Sequence, residues 1–148
     1  MLLWLIAIVI TVAILKLVKL GTKPAKLAIG SLVLMTVLML ISIPIAGLLG
    51  QTDRVVNLSN ISSILVALGL SAWFFIAKSK LCMVGICIYF LFGVVGTIIM
   101  LPSLPPAFWL GQGASAAVAV VGLVSGIYCL STWRTSFPKN VEVLKVFE

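Results

Sequence analysis

Histidine is absent from the chain, and only three acidic residues, Asp53, Glu142 and Glu148, occur among its 148. The first absence removes the usual general base and the commonest metal ligand. The second leaves no Asp or Glu inside any apolar run, so a proton relay of the kind that drives pumps and transporters has no carboxylate to use. No glycine-rich loop precedes a Lys-Ser or Lys-Thr pair, which argues against a phosphate cradle. The expectation is a protein that is not an enzyme and carries no cofactor or metal. A lipid-directed enzyme would have to work through Ser, Cys, Lys or Tyr without histidine, and no spacing supports it.

Charge of either sign is also scarce. Charged residues make up 9% of the chain and hydrophobic residues 63%, with a mean hydropathy of +1.35. A soluble domain keeps about 25% charged residues to cover its surface. Lipid is therefore the expected solvent for most of this chain. The net charge of +7 fits anionic headgroups rather than a nucleic acid, because no basic patch is interleaved with aromatics. Three cysteines cannot all pair, and all lie in apolar runs, so they say little about redox compartment. No basic residue precedes the first apolar run and no small-residue cleavage site precedes Lys16, so that run reads as a retained helix rather than a signal peptide.

What the sequence does have is apolar runs, and its charges sit where they break. Lys16, Lys19, Lys23 and Lys26 mark the first break, Asp53 and Arg54 the second, Lys78 and Lys80 the third. The fourth break, Pro102–Pro106, has none. Arg134, Lys139, Glu142, Lys145 and Glu148 occupy the tail. About 20 helical residues cross a hydrocarbon core of about 30 Å. Five segments meet this length: roughly 2–20, 27–49, 55–77, 81–101 and 107–130. The expected fold is an all-α polytopic membrane protein, a bundle of five transmembrane helices forming one domain over 1–133, with a short cytoplasmic tail at 134–148. Lys16 interrupts the first segment, and snorkelling of Lys16 and Lys19 restores its full length. The four-span variant lays that segment in the interface instead.

Cytoplasmic loops retain Lys and Arg. With the N-terminus outside and the C-terminus cytoplasmic, every Lys and Arg except Arg54 falls on the cytoplasmic side. The same threading puts Trp4 and Trp109 at the outer surface, and Trp73 and Trp133 near the inner one with Tyr128, forming interfacial belts. A bacterial cytoplasmic membrane is the expected location. Lys78-Ser79-Lys80 is too short to join anything but antiparallel neighbours, so a helical hairpin is expected there. Pro44 lies within the second span, where a kink near Ile41–Pro44 is expected.

Two sets of residues stand out as candidate sites. Gly111, Ser115, Ala119, Gly122 and Gly126 form one small-residue face on the fifth span, the kind that lets helix backbones approach. Its plainer role is packing within the chain, and its functional role is docking of another membrane protein. Gly85, Gly93 and Gly96 give the preceding span a looser version. Asn57, Asn60 and Ser63 share a face of the third span, and Gln112 is expected at similar depth. They serve either as interhelical hydrogen-bonding glue or as an outward polar vestibule. The Asn57-Leu58-Ser59 and Asn60-Ile61-Ser62 glycosylation patterns sit against or within the membrane and are discounted. Cys82 and Cys87 project about 140° apart on a helix and read as small packing residues, with a Cys82–Cys129 contact possible in depth.

The leading functional expectation is a non-catalytic protein acting through helix packing. It would be an accessory or assembly subunit of a larger membrane complex, or an inhibitory or immunity-type binder. Its partners would be membrane lipids and other membrane subunits, or further copies of itself. The alternative is a small oligomeric channel or carrier for a neutral or weakly polar solute, lined in its outer part by Asn57, Asn60, Ser63 and Gln112.

Overall fold

The computed structural model describes residues 2–17, 22–48, 58–103 and 109–136. Lys19, Asp53, Arg54, Asn57, Pro105, Pro106 and the tail beyond Ser136 lie outside these. Every regular element among the described residues is helical: α1 (Leu2–Leu17), α2 (Lys23–Leu48), α3 (Leu58–Ala77), α4 (Lys80–Met100), a 3₁₀ turn (Leu101–Ser103), α5 (Trp109–Ser131) and the short α6 (Trp133–Ser136). Without water to accept them, backbone N–H and C=O groups must be satisfied within the segment, and a helix does this completely.

Helix ends follow local chemistry more closely than hydropathy. α2 begins at Lys23, ahead of the apolar run itself. Pro24 sits in its first turn, where a missing N–H is harmless, and the Lys26 N–H donates to Thr22 O at 3.1 Å. Pro44 is inside α2, which continues past it to Leu48. α3 ends where Lys78 enters the left-handed region at φ 45°, its N–H donating to Phe74 O at 2.9 Å. Such a residue reverses the chain after a helix. Ser79 then caps α4: its backbone is extended (φ −84°, ψ 146°) and its hydroxyl accepts the Cys82 N–H at 3.2 Å, satisfying one of the donors that a helix start leaves open. These two residues make the tight α3–α4 hairpin that the Lys-Ser-Lys turn implies.

Three helices are long and apolar enough to cross a membrane, over Lys23–Ile41, Lys80–Ser103 and Trp109–Ser131. Two shorter apolar stretches, Leu3–Lys16 and Ile61–Ala77, accompany them. Length and composition thus place the chain among helical membrane proteins. The outer surface agrees with lipid as solvent: Leu110, Ile76, Phe92 and Ile99 are among many large apolar side chains left exposed, far more than a soluble monomer keeps.

α2 is the central helix, with 44% of its Lys23–Ile41 window buried, against 17% and 22% for the windows of α4 and α5. It packs principally on α5 and α1 and also on α3, while α4 packs on α5 and α3. The α2 core stripe is Ala25, Ala28, Ile29 and Leu32, on one helical face. Against it stand Ala67 and Phe74 from α3, Met83, Ile86 and Phe90 from α4, and Ala119 and Cys129 from α5. Buried hydroxyls stay on their own helices: Thr11 donates to Ala7 O (2.7 Å), Thr36 to Leu32 O (2.8 Å) and Ser71 to Ala67 O (2.7 Å). This back-bonding satisfies a polar group without a partner helix.

Candidate functional site

The small-residue face of α5 divides into two halves. Ala119, Gly122 and Gly126 are buried inside the bundle. Gly122 faces Phe90 of α4, and a methyl group added there would clash with the ring edge formed by Cδ2, Cε2 and Cζ, 2.9 Å from Cδ2. A methyl at Gly126 would lie 2.7 Å from Cys87 Sγ and 4.0 Å from Ala28 Cβ. These glycines therefore let α5 approach α4 and α2 together, at a separation that no Cβ permits. The other half is open. Nothing lies within 4 Å of a Cβ placed at Gly111 or Gly113, and Ser115 spends its hydroxyl on Gly111 O at 3.0 Å.

α4 shows the same division. Gly85 meets Leu70 of α3, whose Cδ2 would be 3.0 Å from an added Cβ, whereas Gly93 and Gly96 have open space. Gly126 is level with Cys87, and Gly122 with Phe90, so the antiparallel register carries the open glycines of both helices to the same end of the bundle.

The residues on α2 that receive this packing were not singled out from the sequence. Ala25 and Ala28 are fully buried, and a methyl at Gly30 would come within 2.9 Å of Leu15 Cδ1 on α1. The signal was present as Ala25-x-x-Ala28-x-Gly30, small residues on the face turned to α5 and α1. It was hidden because α2 is apolar on every side, so hydropathy does not mark its contact face.

The polar set is not assembled in this way. Asn57 lies outside the described residues, and Asn60 falls in the first turns of α3. Ser63 is half-buried on α3, while Gln112 is exposed on α5. These two helices are not principal packing partners.

The thiols serve two interfaces. Cys82, Cys87 and Cys129 are free and buried. Cys82 turns to α3, its S–H donating to Leu70 O at 3.3 Å. Cys87 turns to α5 against Gly126. The divergence of Cys82 and Cys87 around α4 thus matches a helix wedged between two neighbours, and Cys82 and Cys129 belong to the same buried cluster. Among the described residues, no three groups of the His, Cys, Asp or Glu type come together as metal ligands do.

No protein-family model matches the chain, and no curated protein or solved structure is similar to it.

Proposed function

We propose that the protein is a non-catalytic integral membrane subunit, acting through helix packing on a partner membrane protein. It crosses a bacterial cytoplasmic membrane five times, with its N-terminus outside and its C-terminal tail in the cytoplasm. The threading rests on the lysines: all but Arg54 of the basic residues gather on one side. α1 is short as an apolar helix, and Lys16 near its end reaches the headgroups along its aliphatic stem.

One observation carries the subunit reading. Half of the small-residue surface is consumed inside the chain, and half is open at one end of the bundle, at Gly93, Gly96, Gly111 and Gly113. Helix association in lipid is driven by close van der Waals packing, which small residues permit. An open glycine costs helix stability, about 1 kcal/mol relative to alanine. Gly93, Gly111 and Gly113 are exposed and Gly96 is half-buried, and a partner helix that approaches there accounts for them. Within the original α5 face, Gly111 and Ser115 are the positions available to such a partner, while Ala119, Gly122 and Gly126 hold the subunit together.

The test pairs two variants. Gly111→Leu with Ser115→Leu should leave a folded chain that no longer co-purifies with its partner in mild detergent. Gly122→Leu with Gly126→Leu should lose both fold and assembly. Unchanged co-purification and unchanged cellular function in the first variant would refute the proposal.

A further inference from the structure

Two concavities meet at Lys26. The first is a groove of about 360 Å³ between α1, α2 and α5, walled by Thr11, Leu15, Leu27, Gly30 and Val121 and almost wholly apolar. Lys26 lies at its rim. The second is a basic-rimmed cleft of about 510 Å³ at the adjoining end of the bundle, lined by Thr22, Lys23, Lys26, Tyr128, Thr132 and Thr135. Lys26 is shared by both. Among the described residues, the charged side chains lining the two are Lys23 and Lys26.

The geometry points to a site for one anionic phospholipid, its phosphate held between Lys23 and Lys26 and one acyl chain laid in the α1–α2–α5 groove. Lys23 and Lys26 are three apart and share a helical face. Two of the cleft's threonines are already engaged: Thr132 Oγ1 donates to Tyr128 O (2.8 Å) and Thr135 Oγ1 to Thr132 O (2.9 Å). The charge of the two lysines, with the exposed Tyr128 beside them, therefore defines the cleft as an anion receptor. Each Lys near the surface adds attraction for anionic lipid.

Length favours a lipid over a free anion. The groove follows α2 from Lys26 to Leu34, about 12 Å at about 1.5 Å per residue. One leaflet of hydrocarbon is about 15 Å deep. The groove thus begins at the basic cleft and runs inward for nearly the depth of one leaflet, as a glycerophospholipid does. Gly30 deepens the groove wall where Leu15 of α1 comes closest. A lipid would bind here whether or not a partner helix engages the far ends of α4 and α5.

Native mass spectrometry of the full chain tests this, with phosphatidylglycerol or phosphatidylcholine of matched acyl chains added in mild detergent. Phosphatidylglycerol should be retained with a preference of about tenfold or more, since two lysines contribute. Lys23→Gln with Lys26→Gln should erase that preference, and Lys23→Arg with Lys26→Arg should keep it. Val121→Phe, which fills the groove, should lower retention of both lipids. Lys80→Gln, at the same end of the bundle but in neither concavity, should change nothing. Circular dichroism establishes that each variant is folded. The proposal is overturned if the Gln pair retains the preference, if Val121→Phe leaves retention unchanged, or if inorganic phosphate displaces the lipid.

Discussion

Gly122 of α5 lies against the ring edge of Phe90 on α4, with no room for even a methyl group between them. Phe90 is 1% exposed, so the ring cannot swing away into lipid. It is the knob for which Gly122 is the hole, and it sets the distance between the two helices. Gly122→Ala should destabilise the bundle by about 1–3 kcal/mol, the usual range for overpacking. Phe90→Leu should cost stability alone yet recover part of the loss when combined with Gly122→Ala. Gly113→Ala, in open space, should be neutral or slightly stabilising, because alanine is the better helix former. Unfolding in detergent micelles by denaturant titration measures all four.

The α3–α4 hairpin depends on Lys78 holding φ at 45°. A side chain in the left-handed region is unfavourable by about 1–2 kcal/mol, and glycine escapes this. Lys78→Gly should therefore be more stable than Lys78→Ala by about 1 kcal/mol, although both remove the same charge. The opposite order in a thermal unfolding comparison would mean that the turn does not use this conformation.

Ser79 supports the same hairpin from the other side by capping α4 at Cys82 N–H. Ser79→Ala should lower stability by about 1 kcal/mol, and Ser79→Asp or Ser79→Asn should hold it close to the original value. Equal losses in all three, read from the same unfolding assay, would exclude a capping role.

Orientation is checked by labelling from one side. With Ser103→Cys, an impermeant maleimide should react on intact cells or right-side-out vesicles. With Thr135→Cys it should react only after the membrane is opened. An epitope placed before Leu2 should be accessible from outside if α1 crosses, and from inside if it lies in the interface. The native thiols are buried, so they should contribute little background.

Much of this architecture is visible in the sequence because lipid imposes a simple rule: apolar runs of sufficient length become helices, and charge marks their ends. The positions of α2, α4 and α5 follow from that rule, and so does the hairpin at Lys78-Ser79-Lys80. Helix boundaries do not. α2 starts at Lys23 because Pro24 is tolerated in a first turn, a matter of capping rather than hydropathy.

Pairing was harder to see. In water, an apolar stripe shows which side of a helix faces the core. In lipid both sides are apolar, and the core of α2 is distinguished only by small residues at Ala25, Ala28 and Gly30. The α5 stripe was legible as a packing face, but its division at Ala119 depends on where Phe90 and Cys87 arrive from α4. That is tertiary information. The Lys26 rim of the lipid groove likewise needs three helices in place before Leu15, Gly30 and Val121 can be seen to share a wall.

The most direct measurement is native mass spectrometry of the protein purified in mild detergent from its own host. The account predicts a complex containing a second membrane protein in fixed stoichiometry, lost on Gly111→Leu with Ser115→Leu and retained on Gly69→Ala, which has open space on α3 away from that face. A chain that emerges only as a monomer or as copies of itself, with the same variants indistinguishable from the original, would contradict the subunit role. It would favour a small oligomeric channel or carrier instead.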